Sequence, residues 1–224
     1  MRNESADINE FSEIVIPAEL RGGDKKRHVS ISDGCYKNDS RISLHADLCR
    51  FENNNPLEVD IGAGKGRFLL ARALEHPELN FFGIERQNGR LYRMAKKIRR
   101  HDLTNVKLAR VEAAAGIELM LEPESVSTFY ILFPDPWPKK RHYRRRLINV
   151  EFMDLLQSKL CSGGVIHFAS DHQNYAEYVE TVFAADKRFE AIDPFIPTES
   201  ERTDFEIIFA AQEKPTARLS LQKK

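Results

Sequence analysis

The stretch from Leu57 to Leu74 constrains the fold more than any other. A β-favouring run, Leu57–Ile61, feeds Gly62-Ala63-Gly64-Lys65-Gly66, and Phe68, Leu69, Leu70, Ala73 and Leu74 then recur at helical spacing until Pro77. A strand that enters a helix through a glycine turn opens a parallel sheet with crossover helices, because parallel neighbours need a long connection. The alternation continues downstream. Strands are expected at 80–84, 106–109, 126–133 and 165–169. Helices are expected around Leu91, Met94, Ala95 and Ile98, at 117–121, around Phe152, Leu155, Leu156 and Leu160, and around Tyr175, Tyr178, Val179 and Val182. Two β-rich stretches, 189–192 and 205–211, close an α/β domain spanning 51–213. Residues 1–50 read as a partly flexible N-terminal arm and 214–224 as a loose C-terminal tail.

Other classes are excluded early. The apolar runs fall far short of the roughly 20 residues of a spanning helix, and the acidic, polar start lacks a secretory pattern, so a cytoplasmic location is expected. Cys35, Cys49 and Cys161 are widely spaced and contain no C-x-x-C, and the seven histidines are dispersed. Neither a disulfide framework nor a metal site is expected. Formal net charge is zero, yet residues 86–146 hold 15 basic and 6 acidic residues while 171–213 hold 3 and 11. A polyanion has a place to dock.

The glycine spacing is G-x-G-x-G. A dinucleotide fingerprint would need Gly at 67, where Arg67 stands, and a P-loop fails at Val59 and Gly66. The acids sharpen the reading. Glu85 ends the second strand, 23 residues after Gly62, where a carboxylate accepts both ribose hydroxyls. Asp60 adds a second negative charge where an ammonium or sulfonium lies favourably and a pyrophosphate is repelled. An adenosine-bearing cation, S-adenosyl-L-methionine, therefore fits the pattern better than a nicotinamide dinucleotide, and Gly62, Gly64 and Gly66 form its cradle.

Phe133-Pro134-Asp135-Pro136-Trp137-Pro138 follows the fourth strand, and its prolines stiffen the loop that carries Asp135. A rigid carboxylate beside an aromatic ring suits a nucleobase. Lys139, Lys140, Arg141, Arg144, Arg145 and Arg146 come next, and with Arg90, Arg93, Lys97 and Arg100 they form a track for a phosphate backbone.

At these residues the chain resembles the bacterial tRNA (guanine-N7)-methyltransferases of the TrmB type, over roughly 56–212. The resemblance rests chiefly on the segment from Phe133 to His142 with Arg144–Leu147. Asp60 to Gly66, Gly83-Ile84-Glu85, Glu112-Ala113, Ser170-Asp171 and Arg202-Thr203-Asp204-Phe205-Glu206 match further family motifs. It implies a Rossmann-like class I fold, a seven-stranded mostly parallel sheet with helices on both faces and a reversed last hairpin. It also implies a cofactor site at Asp60, Glu85, Glu112 and Asp135, substrate contacts at Lys139, Asp171, Thr203, Asp204, Phe205 and Glu206, and tRNA as partner of a monomer or homodimer. Glu112 stands where the family has Asp, and Asp204 where it has Lys. Two rival functions remain open from the residues alone: methylation of an exocyclic amine, and a non-catalytic RNA-binding scaffold.

Overall fold

Period-two alternation builds the two faces of the sheet. The structure, a computed structural model, describes residues 50–224 and the two-residue strand β1 (Val15–Ile16). In β2 (Leu57–Ile61) the side chains of Val59 and Ile61 enter one buried cluster, which leaves Glu58 and Asp60 on the opposite face. Phe82 and Ile84 of β3 (Asn80–Ile84) join the same cluster, whereas Phe81 joins a second one. In β4 (Val106–Ala109) Val106 and Leu108 follow Phe81, and β5 (Val126–Leu132) sends Phe129 and Ile131 to the first cluster.

Helices cover both faces. Helices α1 (Arg67–Glu75) and α2 (Asn88–Arg100) close the second cluster with Leu69, Ala73, Leu91, Met94 and Ile98. Leu91, Met94 and Ile98 are wholly buried, and each such side chain contributes about 1.5–3 kcal/mol by leaving water. Helices α3 (Ala113–Met120), α4 (Val150–Lys159) and α5 (Gln173–Ala185) close the first with Ile117, Phe152, Leu156, Val179 and Phe183. Gly66 begins α1 at φ 73°, and a Cβ there would lie 2.4 Å from Met94 Cγ, so both conformation and contact demand glycine.

With β6 (Leu160–Ser170), β7 (Phe189–Ile192) and β8 (Ala217–Lys223), the sheet order is β1-β4-β3-β2-β5-β6-β8-β7. Every pairing is parallel except those of β8, which runs antiparallel to both β6 and β7. This is the expected seven-stranded sheet with a reversed last hairpin, extended at the β4 edge by β1. The chain leaves β2 for β3 and β4, then crosses back to β5 on the other side. The crevice at the carboxyl ends of β2 and β5 is therefore the topological switch point.

Three expectations need correction or placing. The run 205–211 is not a strand but the helix α6 (Asp204–Ala210). Thr203 Oγ1 accepts from Glu206 N (3.0 Å) and Glu206 Oε2 accepts from Thr203 N (2.7 Å), a reciprocal cap that outweighs the β propensity of Phe and Ile. The segment 214–224 is not a loose tail. Its alternation puts Ala217, Leu219 and Leu221 against the first cluster, and Lys223 Nζ donates to the Leu160 carbonyl at 2.7 Å, so the domain extends past 213. The N-terminal arm expected over 1–50, with Cys35 and Cys49, lies outside the described residues apart from β1 and Arg50.

Candidate active site

The glycine loop closes on the end of β3. Gly62 N and Ala63 N both donate to the Ile84 carbonyl (2.8 and 3.1 Å), and Gly64 N donates to Glu85 Oε2 at 3.1 Å. Glu85 Oε1 accepts from Gln87 N at 2.8 Å, and Arg90 Nη1 lies 3.3 Å from Oε2. Arg90 is thus drawn to the loop acid, which removes it from the basic face assigned to RNA. Arg93, Lys97 and Arg100 remain exposed on α2. Glu85 keeps acceptor capacity on Oε1 for an incoming hydroxyl.

Asp60 is the unusual group. It is 4% exposed, and no hydrogen bond to it exists among the described residues. Burial, and then the neighbouring Glu85 charge, push its carboxyl up to about 7. A buried carboxylate without a donor is costly unless a cation meets it. Glu112, by contrast, is exposed and caps its own helix, accepting from Ala115 N at 3.2 Å.

Across the crevice, the loop after β5 is held under strain. Phe133 and Trp137, which flank Pro134-Asp135-Pro136, both have positive φ (55° and 44°), a conformation that costs about 1–3 kcal/mol in a non-glycine residue unless its surroundings enforce it. The enforcement is visible. Phe133 N donates to the Ala169 carbonyl (2.8 Å), Trp137 packs edge-on against His142, and the Arg145 guanidinium lies 4.8 Å from the Trp137 ring centre.

Arg146 does most of this holding, a role that its place in a basic run concealed. It is 3% exposed, donates to the Pro136 carbonyl (3.0 Å) and to Asn174 Oδ1 (2.9 Å), and lies over the rings of Tyr143 and Tyr175. The expectation that Arg146 meets phosphate is therefore corrected: its guanidinium is committed inside the protein. Lys139, Lys140, Arg141, Arg144 and Arg145 are exposed, on or beside a 3-10 turn over Lys140–Arg145. Asp135 is exposed at the loop apex, and Asp171, half-buried just beyond β6, has no hydrogen-bond partner among the described residues.

The segment before α6 completes the site. Asp204 Oδ2 lies 3.6 Å from Lys65 Nζ of the glycine loop, and Phe205 stacks on Phe209 while its ring centre sits 6.2 Å from that of Phe133. Phe205 is 47% exposed. Glu206 is buried, with one oxygen on Thr203 N and the other on Arg218. Thr203 and Glu206 thus cap α6, while Asp204 and Phe205 face outward. The structure brings Asp60, Gly62, Gly64, Glu85, Asp204 and Phe205 to one crevice. Glu112, Lys139 and Arg144 make no contact with that group among the described residues.

Comparison with known proteins agrees with this geometry. A family described as a putative methyltransferase matches residues 54–218. The chain is 37% identical over 161 residues to the tRNA (guanine-N(7)-)-methyltransferase of Aliivibrio fischeri strain MJ11, covering 70% of this chain and 68% of the relative. It is 34% identical over 156 residues to the enzyme of the same name from Bacillus licheniformis, covering 70% and 71%. Among solved structures, an rRNA methylase from Streptococcus thermophilus matches with a TM-score of 0.52 at 16% identity, over 83% of this chain and 97% of that one, a likeness of fold.

Proposed function

The chain belongs to the tRNA (guanine-N(7)-)-methyltransferase family, and we propose that it transfers a methyl group from S-adenosyl-L-methionine to N7 of a guanosine in tRNA. The observation that carries the reading is the buried Asp60, without a hydrogen-bond partner among the described residues, beside Glu85 at the switch-point crevice.

The residues present fit this cofactor. Asp60 supplies the negative charge that a cationic ligand satisfies, Glu85 offers acceptors for ribose hydroxyls, and the positive-φ backbone at Gly62 and Gly64 leaves no side chain between ligand and loop. Glu112 and Asp135 complete the proposed cofactor set. The cofactor supplies the electrophilic methyl on a sulfonium.

Guanine N7 carries a lone pair and no proton, so direct in-line attack needs no general base. What the protein must supply is alignment and charge. Holding the reacting atoms about 3–3.5 Å apart accounts for much of the acceleration available to such a step. The purine becomes positive as N7 is alkylated, and the carboxylates of Asp135 and Asp171 stabilise that charge. They also accept from the guanine N1 and N2 donors, which adenine cannot match. Arg146 serves this chemistry from behind, by fixing the strained loop on which Asp135 rides.

Lys139, Arg144 and Arg145 take phosphates, and Thr203, Asp204, Phe205 and Glu206 line the substrate side through their segment. A tRNA substrate fits a cytoplasmic location, and no described helix is long and apolar enough to cross a membrane. The testing variant is Asp135→Ala. It keeps its fold but loses methyl transfer to unmodified tRNA by about 100-fold or more. Near-normal turnover would remove Asp135 from the mechanism.

A further inference from the structure

A buried ion triad sits behind the site, outside everything the proposed reaction uses. Arg72 of α1 is 9% exposed, Glu58 of β2 7% and Glu201, in the segment between β7 and α6, 2%. Arg72 Nε and Nη2 donate to the two oxygens of Glu58 (2.8 and 3.1 Å), and Nη1 donates to Glu201 Oε1 at 2.7 Å. The guanidinium lies 5.4 and 5.7 Å from the ring centres of Tyr130 and Phe195, which screen it from water. One cation thus bridges the cofactor strand, two residues before Asp60, to a segment 129 residues further along.

Glu201 organises that segment in turn. Its Oε2 accepts from Thr198 N at 2.9 Å, and Ser200 Oγ donates to Glu75 Oε1 at 2.5 Å. Downstream, Arg67 Nε donates to the Arg202 carbonyl at 2.9 Å, and Asp204 approaches Lys65. The Lys65 pair is exposed and holds little. The Arg72 contact is buried, charge-assisted and fixed in direction, and losing one partner strands a charge in the interior. Glu75, His76 and Glu201 also bring three possible metal-ligand atoms within 4.8 Å of one another. The guanidinium already on Glu201 makes this an ion-pair node and opposes a metal cation.

We propose that Arg72 is a positioning residue that latches the 198–206 segment to the cofactor strand through Glu201, and so sets where Thr203 and Phe205 meet the RNA. The inference rests on the functional reading above. Arg72 acts through Glu201, and its loss displaces the substrate-side segment while the glycine loop keeps its own bonds to β3.

The test compares Arg72→Met and Glu201→Ala with the wild-type full chain. Both variants raise KM for unmodified tRNA about 10- to 100-fold, the effect of misplacing a positioning element by about 1 Å, while Kd for S-adenosyl-L-methionine by calorimetry stays within about twofold. Hydrogen exchange quickens over 198–206 and keeps wild-type rates in β5 and β6. Glu201 lies outside the sheet, so Glu201→Ala carries the test if Arg72→Met does not fold. Wild-type KM for tRNA and wild-type exchange over 198–206 in a folded variant overturn the latch, as does an equal loss of cofactor and tRNA affinity. A wild-type protein that transfers no methyl to tRNA overturns the functional reading instead, and exchange over 198–206 still decides the latch.

Discussion

Asp60→Asn should make this protein more stable and useless. The Asp60 carboxyl stands at about 7 instead of 3.8, because burial and the Glu85 charge disfavour its ionised form. Well below pH 3.8 it is protonated in both folded and unfolded chains and costs nothing. As pH rises from there toward 7, the unfolded chain ionises freely while the folded one must hold its proton or bury a charge, so stability is lost. At 1.36 kcal/mol per pH unit, the penalty is about 1.7 kcal/mol at pH 5 and about 4 kcal/mol at pH 8. The uncharged amide escapes it. Whatever constant cost the amide itself brings, the advantage of Asp60→Asn over wild type should widen by about 2–3 kcal/mol between pH 5 and pH 8. Urea titration at the two pH values measures this directly. Parallel stability curves for the two proteins would refute the claim that a buried charge is stored at Asp60. The same substitution should abolish cofactor binding by calorimetry, and wild-type affinity should rise with pH through 7, with proton release on binding detected in buffers of different ionisation enthalpy. Stability held in reserve at a binding site is the expected trade.

Further outcomes follow from the same geometry. Arg144→Ala should reduce the slope of log affinity for tRNA against log salt by about 1, without altering melting temperature. Arg146→Ala should do the opposite, leaving the salt slope and lowering stability by about 2–4 kcal/mol in denaturant titration, because it empties a buried cation site and frees the strained loop. An Arg146→Ala protein of wild-type stability would contradict the assignment of Arg146 as a loop anchor. Deleting 214–224 should prevent folding, since it removes β8 and strands β7 without a partner; a folded product by circular dichroism would show that the hairpin is dispensable.

What the sequence revealed and what it hid divide along sequence separation. The grouping of the glycine loop with Asp60 and Glu85 was legible because it depends on short spacing around one strand-turn-helix unit, and in the fold Gly64 N donates to Glu85. The latch was not legible. Nothing local in Arg72 announces a partner at 201, and the pairing exists only because α1 crosses the face that bears Glu58. Arg146 was hidden by its neighbours, five exposed basic residues that give the run a uniform appearance, although its aromatic partners Tyr143 and Tyr175 fix it inside. Helix α6 did carry a signal, the T-x-x-E cap at Thr203 and Glu206, against the stronger β propensity of Phe205, Ile207 and Ile208. The segment 214–224 read as a loose tail, although in β8 Ala217, Leu219 and Leu221 face the core.

The proposed reaction places a methyl group on N7. Incubating the protein with unmodified tRNA and methyl-labelled S-adenosyl-L-methionine, then digesting the RNA and separating its nucleosides, tests it most directly. Label in 7-methylguanosine is the expected result. Label in a nucleoside methylated on an exocyclic amine, or tRNA that binds tightly and stays unlabelled, would contradict it.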